Sequence, residues 1–204
     1  MTILLVEGVV ATGKTTILGE LQRTDLWRER PTKILLSEHY TERVLELTTP
    51  TVAARVELLT QHVDMAEDLH RLWSGSRFSH ERNLEPLIFF ERFHLTHAAQ
   101  IADLAPFIEL EERLLAMGAL LLFLHHPPCR LLERIKATER VRSGQWKLWL
   151  RSLGSDEDIA HYFLSLQENS ASIFARSRLK KLALDAHSIP PTAMAEKVSQ
   201  LLRG

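Results

Sequence analysis

The chain has 204 residues, 45% hydrophobic and 25% charged, proportions that exclude wholesale disorder and allow a buried core without disulfide or metal staples. Lys and Arg total 25 against 26 Asp plus Glu, a net charge of −1, so no overall positive field exists to hold a nucleic-acid polymer. The single Cys129 excludes an internal disulfide and a Cys-x-x-Cys site, and no apolar run reaches the roughly 18 to 20 residues of a membrane helix. The opening MTILLVEG has no basic n-region, and its apolar run is too short for a secretion signal, so a cytoplasmic protein is expected.

Short apolar runs alternate with longer helical patterns. Residues 3–7 read as a buried strand ended by Gly8, and 15–23 as a helix with Ile17, Leu18 and Leu21 on one side. A second strand is predicted over 33–37, after Pro31. A long helix over 52–73 follows, apolar at Val56, Leu59, Val63, Ala66 and Leu69. Residues 87–90 form a third strand after Pro86, and 106–117 a helix stopped by Gly118. The fourth strand, 119–124, is closed by Pro127-Pro128. Helices over 129–142 and 156–175 are separated by a polar stretch containing glycine, and a fifth strand (179–184) and a helix (191–202) complete the chain. Strands alternating with helices imply an α/β protein: a three-layer sandwich around a five-stranded parallel sheet. No linker or repeat divides the chain, so one domain over 1–204 is expected, with a helical lid near 129–155.

One motif carries chemistry outright. Gly8-Val9-Val10-Ala11-Thr12-Gly13-Lys14-Thr15 matches GxxxxGK[ST] between the first strand and the first helix. Glycines permit backbone shapes and close approaches that a Cβ would block. Successive N–H groups then face the phosphate oxygens, aided by the positive end of the following helix. Lys14 supplies charge to the β and γ phosphates, and Thr15 offers a hydroxyl to Mg²⁺. Gly8, Val10, Ala11, Thr12, Gly13, Lys14, Thr15 and Thr16 are therefore expected to hold ATP.

Ligands of open α/β sheets sit at the carboxyl ends of the strands. The second strand ends in Ser37-Glu38-His39-Tyr40, where a carboxylate can accept a proton from an acceptor hydroxyl. The third ends in Phe90-Glu91-Arg92, one group for Mg²⁺ and one for a polar or anionic substrate. Arg130, Arg134, Lys136, Arg140 and Arg142 form a basic run that either covers the triphosphate or is a solvated helix face. Trp27, Trp73, Trp146 and Trp149 read as packing residues. There is no NKxD motif, no DxxG after the third strand and no paired acids at a strand end, which argues against a GTPase switch or an ATPase motor.

Val6-Glu7-Gly8 running into the loop, Glu38, Glu91-Arg92 and the segment around Glu133-Arg134-Ile135 resemble the thymidylate kinase and deoxynucleoside kinase group, in order from residue 3 to about residue 175. The resemblance implies Glu38 as general base, Glu91 in the magnesium shell and Arg92 on the acceptor side of the phosphoryl group. It also implies Arg134 and Arg140 as lid arginines on the donor phosphates. The helix over 52–73 would border the acceptor pocket and serve a homodimer. Gln61 on it reads as a solvent-facing amide, with base recognition as the alternative. The chain departs from the family pattern in four places: Phe93 replaces Ser after Glu-Arg, Glu91-Arg92 stands where thymidylate kinases carry Asp-Arg, His39 replaces Pro after Glu38, and Thr138-Glu139 stands where a lid arginine and a neutral neighbour are usual. The expected activity is ATP- and Mg²⁺-dependent phosphoryl transfer to a small acceptor, a nucleoside or nucleoside monophosphate. A kinase for another hydroxyl, or a nucleotide-binding regulatory protein with little turnover, remains the alternative.

Overall fold

The computed structural model describes residues 1–47 and 50–203. Its sheet contains β1 (Thr2–Glu7), β2 (Lys33–Leu36), β3 (Leu87–Glu91), β4 (Leu120–His125) and β5 (Lys180–Asp185), all parallel, in the order β2-β3-β1-β4-β5. The helices are α1 (Lys14–Leu21), α2 (Asp25–Arg28), α3 (Glu38–Thr41), α4 (Val52–Ser74), α5 (His94–Ile101), α6 (Ile108–Ala116), α7 (Pro128–Glu139), α8 (Gly144–Ser152), α9 (Asp156–Arg176) and α10 (Pro191–Arg203). The expected three-layer α/β architecture is the one observed. Among the described residues no helix is long and apolar enough to cross a membrane.

Burial explains the sequence pattern. The inner strands β1, β3 and β4 are covered on both faces, so they read as unbroken apolar runs rather than alternating ones. Leu4, Val6, Phe89 and Leu122 pack against α1 and α10 through Ile17, Leu21, Met194 and Val198. Ile3, Leu5, Phe90 and Leu121 face the other way, against Leu59 and Val63 of α4, Leu95 of α5 and Leu114 of α6. The edge strands begin with exposed Lys33, Lys180 and Lys181, charges that discourage pairing with another sheet.

A third apolar cluster seats the segment over 129–155. Val9, Val10 and Ala11, the variable residues of the phosphate-binding motif, pack with Leu131 and Ile135 of α7, Leu150 of α8, and Ile159 and Phe163 of α9. Leu131 and Ile135 are fully buried, and each such side chain contributes about 1.5–3 kcal/mol. The segment expected to be a lid is thereby docked on the loop.

Four helices were not legible as periodic patterns. The N-terminus of α5 is satisfied from β1, where Glu7 Oε1 accepts the N–H groups of Phe93 and Leu95 at 3.0 Å each. The helix predicted over 129–142 stops at Glu139, and the polar stretch after it is α8, whose Ser143 Oγ accepts the Trp146 N–H at 3.2 Å. The short α2 and α3 have no room for a repeat. The predicted fourth and fifth strands shift by one residue, with pairing running from Leu120↔Lys180 to His125↔Asp185. Loops after β1, β2, β3 and β4 consequently gather on one edge of the sheet.

Candidate functional site

The loop between β1 and α1 owes its shape to three left-handed residues, Gly8 (φ 141°), Ala11 (φ 65°) and Gly13 (φ 84°). A Cβ on Gly8 would lie 2.3 Å from the Leu124 carbonyl oxygen, so the glycine is dictated by backbone contact as well as by φ. Gly8→Ala is expected to destabilise the fold by about 2 kcal/mol or more, read as a lower urea midpoint at an unchanged slope. Thr12 Oγ1 donates to the Val9 carbonyl at 2.8 Å and closes the turn.

Lys14 is 5% exposed. Its Nζ donates to the carbonyls of Gly8 at 2.8 Å and Val9 at 2.9 Å. Burial, then the Arg92 charge, outweigh the acidic groups around it and lower its pKa from the ordinary 10.5 to about 7. Those acidic groups are Glu91, Glu38 and Glu42. The phosphate loop and the ends of β2 and β3 thus share one crevice.

Glu38 opens α3 directly after β2. One of its oxygens lies 2.7 Å from Arg43 Nη2 and the other 2.7 Å from Arg92 Nε; the latter is a close charge contact rather than an aligned hydrogen bond. Arg92 Nη1 donates to Glu42 Oε2 at 2.9 Å, and Gln100 Nε2 to Glu42 Oε1 at 2.5 Å. Arg92 itself has φ 54° and donates its backbone N–H to Val6 at 3.0 Å, a turn that aims the guanidinium along the crevice. Burial would lower its pKa, but Glu42 and Glu38 more than compensate and keep it charged. Glu42 is the counterpart: burial alone would raise it, yet Arg92, His97 and Gln100 hold it below the ordinary 4.5. This contact therefore stabilises the fold fully above that value and is lost as the pH falls through the lower folded value. The stability gap between the parent and Glu42→Gln is expected to shrink below about pH 4.5, measured by urea unfolding across the acid range.

Glu91 Oε1 accepts from Thr15 Oγ1 at 3.2 Å. Hydroxyl and carboxylate oxygens are the hard donors that Mg²⁺ prefers, so the pair fits that ion. Among the described residues no group of three or more His, Cys, Asp or Glu side chains is placed to hold a metal, which leaves water and phosphate oxygens to complete such a shell.

A cavity of about 450 Å³ opens beside the loop. Glu42, Arg92 and Gln100 give its lining a polar wall, Trp146, Trp149, Tyr162 and Phe163 from α8 and α9 an aromatic one, and Gly8 and Val9 bring the loop to it. The aromatic rings brace one another edge to face: Trp149 lies 5.9 Å from Tyr162 and 6.1 Å from Phe163. Two of the four tryptophans read as packing residues therefore also face the cavity.

Of the predicted residues, Lys14, Thr15, Glu38, Glu91 and Arg92 are brought together. The two arginines expected on a lid are exposed and make no ion pair among the described residues, with Arg134 within electrostatic reach of His126 behind the loop and not in the group around Glu38. Arg142 is instead turned to the crevice, lying 5.3 Å from the Trp146 ring and within electrostatic reach of Glu38, Arg92, Arg43 and Glu91. No residue of α4 lines the cavity, because Leu59, Val63 and Ala66 commit that helix to the core. Gln61 is exposed on it. Its link to the site is Arg55, which donates to Gln100 Oε1 at 2.5 Å. Glu42 and Gln100 were missed as site residues by sequence reasoning, and Arg142 was read only as one member of the basic run.

No protein-family model matches the chain, and no curated protein matches it in sequence. Solved structures do. The YorR protein of Bacillus subtilis, in complex with phosphorylated GDP, is 13% identical with a TM-score of 0.63, over 98% of this chain and 95% of that one. Deoxyadenosine kinase from M. mycoides with bound dATP is 14% identical with a TM-score of 0.54, over 98% and 99%. An unliganded sugar kinase from Janibacter sp. is 14% identical with a TM-score of 0.54, over 99% and 94%. Taken with the parallel sheet and the loop geometry, these likenesses show that the chain shares the P-loop α/β fold of those structures.

Proposed function

We propose that the protein is an ATP- and Mg²⁺-dependent phosphotransferase acting on the hydroxyl of a small acceptor, in the nucleoside class. The observation that carries this reading is the shared crevice: Gly8 and Val9, whose carbonyls hold Lys14, line one cavity with Arg92 and Glu42, while Glu38 contacts Arg92 and Glu91, bonded to Thr15, lies within electrostatic reach of Lys14. Lys14 and the loop amides bind the donor phosphates. Thr15 and Glu91 would hold Mg²⁺, which would supply positive charge to offset that of the phosphates. Glu38, kept in place by Arg43 and Arg92, accepts the proton of the acceptor hydroxyl. Arg142 is the lid residue that meets charge on the transferring group.

Charge favours a hydroxyl over a monophosphate. Glu38 and Glu42 already neutralise Arg92, and Arg43 is shared with Glu38, so the polar wall has no uncommitted guanidinium of its own to offer a second phosphate. The aromatic wall favours a planar ring, which a nucleoside has and a simple sugar lacks. The test is a panel of nucleosides, nucleoside monophosphates and sugars with ATP and Mg²⁺. ADP release and the product mass are followed together. A phosphorylated nucleoside is the expected product; ATP hydrolysis without transfer, or transfer only to sugars, overturns the reading.

A further inference from the structure

His126 follows β4 and is 2% exposed, yet it belongs to none of the groups above. Its ring Nε2 lies 3.1 Å from the Ala11 carbonyl oxygen. A carbonyl only accepts, so Nε2 carries the hydrogen and Nδ1, which has no partner, is the bare nitrogen. The backbone of His126 is clamped at both ends by a single side chain. Its N–H donates to Gln167 Oε1 at 3.1 Å, and its carbonyl accepts from Gln167 Nε2 at 2.9 Å. Gln167 is itself buried on α9.

We propose that His126 is a positioning residue for phosphate binding, which holds the Ala11 carbonyl so that the next amide faces the donor, with Gln167 fixing His126 from α9. The reasoning is geometric. The carbonyl and the following N–H of a planar trans peptide point in opposite directions. Turning the Ala11 carbonyl down onto buried His126 therefore turns the Thr12 N–H up, toward the open side of the loop. Ala11 needs this help more than a glycine would, because it holds φ 65° with a Cβ. Burial also lowers the His126 pKa, so the ring is neutral and its one N–H is committed to this contact. The clamp joins the helix that carries the aromatic wall to the loop that carries the phosphates.

The proposal rests on the phosphotransferase reading, and its test separates the two. MgADP binding is measured by calorimetry for the parent, His126→Leu, His126→Gln and Gln167→Met, with the KM values for ATP and nucleoside measured alongside. His126→Leu is expected to weaken MgADP by about tenfold or more and to raise the KM for ATP in step, with the nucleoside KM unchanged. His126→Gln, whose amide can reach the same carbonyl, is expected to stay within about threefold of the parent. Gln167→Met should weaken MgADP in the same direction, and it decides the matter if His126→Leu does not fold. Parent-like MgADP affinity in His126→Leu or Gln167→Met overturns the proposal, as does a nucleoside KM that rises equally. A parent protein that binds no MgADP overturns the reading of the site itself.

Discussion

Lys14→Ala is expected to lower turnover by about three orders of magnitude or more, with the folding free energy changed by no more than about 1 kcal/mol. The first half follows from placement. Lys14 lies across the loop, where its Nζ donates to the carbonyls of Gly8 and Val9. The second half follows from its burial. Burial and the Arg92 charge disfavour the ammonium form, as its lowered pKa of about 7 reflects, and removing it offsets the loss of two hydrogen bonds. An unfolded variant would show that the lysine is structural. The same pKa has a sign that can be checked. Unfolded chain binds the Lys14 proton up to about pH 10.5 and folded protein releases it near 7, so this group makes stability rise with pH across that window. A polyphosphate in the cradle restores the charge. Binding of MgADP near pH 8 is expected to take up protons at this site, measured by calorimetry in buffers of different ionisation heat and absent in Lys14→Arg.

Glu38→Gln and Arg92→Ala should separate chemistry from architecture. Glu38→Gln is expected to lower turnover by about 10² to 10⁴-fold with MgADP affinity unchanged, because the amide keeps the shape and loses the base. Arg92→Ala should cost about 3–5 kcal/mol of stability, since it leaves Glu42 and Glu38 facing one another across the space the guanidinium filled. Urea unfolding of both variants, beside their turnover, distinguishes these outcomes. Equal stability loss in both would mean that Glu38 is an architectural partner of Arg92 rather than a base.

The parts legible in the sequence are those whose physics is local. The phosphate loop is eight consecutive residues fixed within or beside the loop: Gly8 by the Leu124 carbonyl, Gly13 by its positive φ, and Lys14 by the carbonyls of Gly8 and Val9. The inner strands are unbroken apolar runs because both faces are covered. What stayed hidden is held by distant partners. The cap of α5 comes from Glu7, 86 residues before Phe93, and Glu42 is matched to Arg92 and Gln100, 50 and 58 residues away. The basic run was visible as composition, but only the turn after α7 decides that Arg142 faces the crevice while Arg134 and Arg140 face solvent. For α8 a signal existed: Ser143 three residues before Trp146 is an N-cap spacing, and Trp146, Trp149 and Leu150 share one face. Gly144 masked it.

A crystal structure with MgADP and a nucleoside tests the shared crevice most directly. The β-phosphate should lie in the loop against Lys14, with the metal touching Thr15 Oγ1 and the nucleoside hydroxyl within hydrogen-bond reach of Glu38. A nucleotide seated away from the loop, or a nucleoside bound with its hydroxyls remote from Glu38, would contradict the account.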